Sequence, residues 1–139
     1  MFPNPVLAKL GFSKDDRIAI VHVDDVGMCQ ASIAAFAELW QFGLVTCGAV
    51  MMPCPWSMEA AKFARVHPEA DLGVHLTLTS EWETYRWGPV STRDPATGLL
   101  DEQGYFHRRS QAVQEKADLV AVQRELAAQI DLARSNGLR

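Results

Sequence analysis

The amino-acid sequence predicts an α/β fold built on parallel strands. Three observations carry that prediction. Apolar, β-branched runs alternate with segments of helical periodicity, the pattern of successive βα units. Residues 17–23 (RIAIVHV) and 44–52 (LVTCGAVMM) are apolar on both faces, as strands covered on both sides by helices are. The three strand-like segments begin at Arg17, Leu44 and Asp71, 27 residues apart each time, without sequence similarity between the units.

Each element has its own signal. Residues 1–16 are a polar, Pro-containing lead-in. The first strand, 17–23, is broken by Asp24-Asp25-Val26-Gly27. In 32–42, Ile33, Phe36, Ala37 and Trp40 recur at helical spacing and Gly43 closes the helix. The second strand, 44–52, gives way to Pro53, Pro55 and Ser57, which mark a turn and a helix start. That helix, 58–67, is stopped by Pro68. Residues 71–79 (DLGVHLTLT) alternate as a third strand. From 80 to 110 periodicity is lost among Trp82, Tyr85, Trp87, Pro89, Pro95 and several glycines, and so long a loop is usually functional. Residues 111–136 read as one helix with an apolar stripe of Val113, Ala117, Val120, Leu126, Ile130 and Ala133, ended by Asn136-Gly137. The whole of 1–139 is expected to be a single domain: a βαβαβ core at 17–79, the loop, then the helix. A fourth strand is due next, but the sequence ends at Arg139.

Composition narrows the function. With 48% hydrophobic and 22% charged residues the chain is an ordinary globular one. The net charge of −4, with no Lys/Arg cluster, offers no electrostatic footprint for nucleic acid. The start, MFPNPVLAKLGF, lacks the basic and apolar regions of a secretory signal. No run approaches the ~18 apolar residues of a membrane span. Cys29, Cys47 and Cys54 lack CxxC spacing and read as thiols in a reducing compartment, so the protein is expected to be cytoplasmic. At 139 residues the chain is too short for a complete (β/α)8 barrel, which needs roughly 200.

Asp24 and Asp25 are the first candidates for chemistry, because sites in parallel α/β folds gather at the carboxyl ends of strands. Adjacent carboxylates repel each other; a divalent cation on one relieves that and leaves the other as a base. Turn and capping chemistry is the plainer alternative. His75, in the third strand, is a candidate metal ligand, or else a buried imidazole bonded to a backbone carbonyl. His22 lies two residues before Asp24, so strand periodicity puts it on the side of Asp24 and away from Asp25, packed in the interior. His67 reads as a capping or surface residue, and His107 as a minor contributor in the loop. Trp82, Tyr85, Arg86 and Trp87 have the chemistry to stack on a sugar ring and bond its hydroxyls; alternatively, the loop covers its own hydrophobic cluster. None of the thiols has an evident His partner, which argues against cysteine catalysis. A phospho-receiver domain is excluded, because the third strand ends without an acid and Asp71 sits at its opposite end.

The segments HVDDVGM, GLVTCGAVMMPCPW and DLGVHLTLTSEW, in this order and spacing, resemble the YdjC-like family of carbohydrate deacetylases. That family's pattern is a strand ending in A-D-D-F-G, a G-[IL]-[VL]-T-S segment and a G-[LV]-H-L-[NT]-L-T strand. Val23, Val26 and Cys47 depart from it. The resemblance implies a TIM-like (β/α) barrel, of which this chain would be about half, the N-terminal portion. It also implies hydrolysis of N-acetyl groups from amino sugars or oligosaccharides at a divalent metal, Mg or Zn, held by Asp-His-His. Carried over, Asp25 and His75 would be metal ligands and Asp24 the catalytic base. The third ligand would lie in a D-S-H-type segment that has no counterpart in these residues. The site is therefore expected to be incomplete and to bind metal weakly, since a typical catalytic zinc has three protein ligands. Open sheet edges predict a homo-oligomer. The alternative is a non-catalytic carbohydrate-binding or remnant domain that keeps the aromatic loop but not the chemistry.

Overall fold

The computed structural model describes residues 5–138. A short lead helix, α1 (Pro5–Lys9), precedes β1 (His22–Val26), α2 (Gln30–Gln41), β2 (Cys47–Val50), α3 (Ser57–Val66) and β3 (Asp71–Val74). A long connection containing one 3₁₀ turn (Pro95–Thr97) then leads to α4 (Ser110–Lys116) and α5 (Leu119–Ser135). The fold is α/β: the three strands form one parallel sheet in the order β1-β2-β3, with helices flanking it.

The main core lies where Val26, Val50 and Leu72 of the sheet meet Ile33 and Phe36 of α2, Ala60, Ala61 and Ala64 of α3, and Ala133 of α5. The small residues of α3 let that helix lie close to the strands. Gly48 serves the same end: a Cβ there would stand 2.7 Å from the Phe36 ring and 3.1 Å from Leu72. Phe63 packs edge-on against both Phe36 and Trp40, with ring centroids 5.8 Å apart in each pair. His67 joins this aromatic group, 4.5 Å from Phe63, so it is a packing residue and not merely a cap.

Several sequence expectations are corrected. The strands begin at His22, Cys47 and Asp71, 25 and 24 residues apart. Residues 17–21 lie outside β1, and Ile18, Ile20 and Val21 are exposed. Val21 does bond Thr46 through both backbone and side chain, so it leads into the sheet without being part of it. Nor is β1 covered on both faces. Its burial alternates, with His22 and Asp24 exposed and Val26 buried.

The helix expected over 111–136 is two helices. Ala117 and Asp118 are extended, and the Asp118 carboxylate caps α5 by accepting from the Ala121 N–H at 2.9 Å. The expected apolar stripe matches the buried face of α5 only at Ala133, although Val113 is buried in α4. That face carries Glu125, Gln129 and Ala133, while Val120 is 59% exposed. The segment 80–110 has a small core of its own, in which Trp87, Leu99 and Phe106 pack with Met51 and Cys54. An antiparallel bridge between Leu100 and Phe106 closes it. No helix among the described residues is long and apolar enough to cross a membrane.

Candidate functional site

The carboxyl end of β1 is irregular. Its pairing with β2 slips between Val23 and Val26, and Asp25 has φ 59°, the one positive value outside glycine among the described residues. An L-residue held there costs about 1 kcal/mol, and Asp is one of the few types that tolerate it. Regular pleating would point Asp25 away from Asp24. The slip brings both carboxylates toward the same imidazole. His75 Nε2 lies 3.5 Å from Asp25 Oδ1 and 3.9 Å from Asp24 Oδ1. Gly27 sharpens the turn that follows, at φ 89°, with its N–H donated to the Ser32 hydroxyl at 3.0 Å. A Cβ on Gly27 would stand 3.0 Å from the Ser57 backbone.

The His75 backbone N–H donates to Val50 O at 2.9 Å, extending the β2–β3 ladder by one bond. Its Nδ1 lies 3.3 Å from the Leu76 carbonyl. That contact is a hydrogen bond when Nδ1 carries the proton, which leaves the Nε2 lone pair facing the acids. The cavity here, about 450 Å³, is lined by Asp24, Asp25, His75, Glu81, Ser110 and Leu126 among others.

His22 was expected in the interior but stands half-exposed beside the acids. Its Nε2 is 3.1 Å from Asp24 Oδ1 and its Nδ1 is 3.0 Å from Cys47 Sγ. Cys47 therefore does have a histidine partner. The two-residue spacing from Asp24 signals the place of His22 beside that residue, and its exposure follows from the alternating burial of β1. Because His22 spends one nitrogen on Asp24 and the other on Cys47, one cation cannot sit among all three in this arrangement. Cys54 is buried, and burial, followed by the charges of Asp25 and Glu81 and by Cys29, pushes its thiol up to about 12. It is inert as a nucleophile at neutral pH.

Asp25 Oδ1 and His75 Nε2, 3.5 Å apart, fit two neighbouring positions around one divalent ion with bonds of about 2.0–2.2 Å. Among the described residues, no group of three or more His, Cys, Asp or Glu side chains is arranged to hold a metal.

The aromatic loop divides. Trp82 and Tyr85 are both 49% exposed. Arg86 and Trp87 are turned inward, into contacts with the loop itself. Arg86 donates to Asp101 Oδ2 at 2.6 Å, to Phe106 O at 2.9 Å and to Ser80 Oγ at 3.2 Å. The Trp87 indole donates to Thr79 O at 2.8 Å. Burial opposes ionisation of Asp101, yet the Tyr105 N–H and the Arg86 guanidinium outweigh it and hold the carboxyl below its usual range. His107 is buried, its Nε2 3.0 Å from Gly98 O, and it has no part in the site.

Fold and site together define a parallel α/β protein with a carboxylate–imidazole cluster at the carboxyl ends of β1 and β3, the strands on either side of β2. The family model for YdjC-like proteins matches residues 18–139, and the chain belongs to that family. A carbohydrate deacetylase of Thermus thermophilus is 41% identical over 92% of this chain and 43% of its own length. One of Enterococcus faecalis is 34% identical over 86% of this chain and 44% of its own. A crystal structure from Enterococcus faecalis, of a protein named for cellobiose-phosphate cleavage, superposes with a TM-score of 0.74 at 33% identity. It covers 86% of this chain and 44% of that one. The chain thus spans less than half the length of these relatives.

Proposed function

We propose that this chain carries the acid–imidazole part of a metal-dependent carbohydrate deacetylase, hydrolysing N-acetyl groups from amino sugars or oligosaccharides. The observation that carries the proposal is the convergence of Asp24 and Asp25 of β1 with His75, the residue after β3, within 3.9 Å at one cavity. The relatives named carbohydrate deacetylases support the substrate class.

In this reading Asp25 and His75 are metal ligands and Asp24 is the general base. A divalent cation, Zn or Mg, would supply Lewis acidity to the acetamide carbonyl and make water a better nucleophile at neutral pH. Asp24, 67% exposed, is open to solvent and takes the proton of the attacking water. The water oxygen bonds to the carbonyl carbon, the proton that Asp24 took passes through solvent to the leaving nitrogen as the C–N bond breaks, and acetate and the amine result. His22 holds one oxygen of Asp24 and so fixes the direction in which the carboxylate faces. Trp82 and Tyr85 supply exposed ring faces for a sugar.

Two ligands are one fewer than a catalytic zinc site commonly has. The third would come from the part of the family's length that this chain does not span, with the sheet forming part of a TIM-like barrel, or from a second copy. Exposed Ile18, Ile20, Leu44 and Phe42 support self-association. A cytoplasmic location belongs to the same reading.

The test is acetate release from N-acetylated chito-oligosaccharides, with added Zn²⁺ and with chelator, for this chain and for a C-terminally extended one that supplies the third ligand, each as wild type and as Asp24→Asn. Metal-dependent release that Asp24→Asn abolishes is the expected result. Release unaffected by Asp24→Asn overturns the role of that residue. Sugar binding by calorimetry that is equal with and without chelator, with no release, favours the non-catalytic binding domain.

A further inference from the structure

α5 turns two polar residues into the protein. Glu125 and Gln129, one helical turn apart, are fully buried. Gln129 Oε1 accepts the Thr77 N–H at 3.1 Å, and its Nε2 donates to the Thr77 carbonyl and to Glu125 Oε1, both at 2.8 Å. Glu125 also accepts the backbone N–H groups of Val90 at 3.0 Å and Ser91 at 2.8 Å, and the Ser91 hydroxyl at 2.5 Å.

A side-chain amide that satisfies both backbone groups of one residue does the work of a neighbouring strand. β3 ends at Val74, and Gln129 pins the chain three residues beyond. The pinned N–H belongs to the Leu76–Thr77 peptide, which is one rigid plane. On the opposite edge of that plane is the Leu76 carbonyl, the group that meets Nδ1 of His75. Bonding at the N–H fixes where the carbonyl points and polarises it as an acceptor. The chain of contacts therefore runs from Glu125 through Gln129 and one peptide group to the His75 ring, and through the ring to Asp25.

We propose that Gln129 is a positioning residue for His75. Its amide oxygen locks the Leu76–Thr77 peptide plane, whose carbonyl holds Nδ1 and presents Nε2 to Asp25. Glu125 orients the amide and ties the Val90–Ser91 segment to the same point. The consequence for metal binding rests on the function proposed above; the geometric claim does not.

The experiment compares the full chain with Gln129→Met and with Ala133→Gly, a control that loosens the same buried face of α5 without touching the Thr77 peptide. Measured without metal, Gln129→Met is expected to speed Thr77 amide exchange by tenfold or more, roughly the value of one lost buried hydrogen bond, while β2 amides keep their protection. The sharp His75 ring nitrogen signals of the wild type should broaden or shift. Zinc affinity should fall roughly 10–100-fold, as it does when a partner of a metal-bound histidine is lost. Ala133→Gly should keep the ring signals and most of the affinity. Unchanged His75 signals in Gln129→Met, or signals disturbed as much in Ala133→Gly, overturn the proposal. If Gln129→Met fails to fold, the wild type decides: neutral His75 with its proton on Nδ1 supports the proposal, and with its proton on Nε2 overturns it. Should the wild type bind no zinc while the ring signals respond as described, the metal role falls and the positioning role stands.

Discussion

Around the carboxyl end of β1 the polar side chains are partly exposed, and His75 meets the acids at 3.5 and 3.9 Å. On the inner face of α5 the polar side chains are fully buried, and each contact lies between 2.5 and 3.1 Å. The first cluster sets two adjacent carboxylates side by side and holds one of them in a strained backbone. The second satisfies every polar atom it buries. Burial explains the contrast: an unpaired polar group in the interior costs the full desolvation of that group, so an interior network must be complete. A cluster facing solvent escapes that cost and keeps donor capacity for a ligand.

The comparison would break first at Glu125. Glu125→Ala strips the partner from four donors at once and should destabilise the chain by about 3–5 kcal/mol, as leaving several buried donors unsatisfied does. Urea unfolding measures it. A loss under about 1 kcal/mol would mean that the α5 network is not what holds the loop.

Acid should act next, through Arg86 and Asp101. The Asp101 carboxyl is held below its usual range, so its contribution is full above the unfolded value of about 3.9 and is lost as pH falls through the lower folded value. Buried Trp87, beside this pair in sequence, reports loosening of the loop by its fluorescence. Asp101→Asn should loosen the loop already at neutral pH and flatten that acid transition; an unchanged transition would assign it to other carboxylates.

At the site the sign reverses. Asp25→Gly removes a carboxylate beside Asp24 and suits φ 59°, so it should stabilise the fold by roughly 0.5–1 kcal/mol. The same change should abolish measurable zinc binding. Paired thermal melts and calorimetry test both, and a less stable Asp25→Gly chain would show that Asp25 is structural. The smallest effect should come from Val120→Lys on the exposed side of α5, within about 0.5 kcal/mol by urea unfolding. A larger loss would show that this face of α5 is covered in solution.

Much of this was legible in the residues. The apolar runs around 44–52 and 71–74, the helical spacing of Ile33 and Phe36, and Pro68 after α3 report locally on local structure. The ordered segments HVDDVGM and GVHLTLT carried the family. The polar face of α5 was not legible, because Glu125 and Gln129 have the composition of a solvent face. Their burial depends on Thr77, 48 and 52 residues away, and on Val90 and Ser91. The break at Asp118 carried a capping signal, an Asp ahead of an apolar run, that the wider periodicity obscured. The chemistry of Arg86 and Trp87 suits both a sugar and a loop interior, and only the folded loop shows the contacts they make within it.

Alone, then, the sequence determined the α/β class, the parallel order of units and the placing of two acids at a strand end. Those properties follow from hydrophobic period and turn chemistry over short stretches. Only the tertiary structure decided that Asp25 leaves the pleat to join Asp24 at His75, that His22 stands beside them, and that Gln129 pins the peptide behind His75. Each of those depends on a register slip or on a contact between distant elements, and neither is encoded in the spacing of residues along one element.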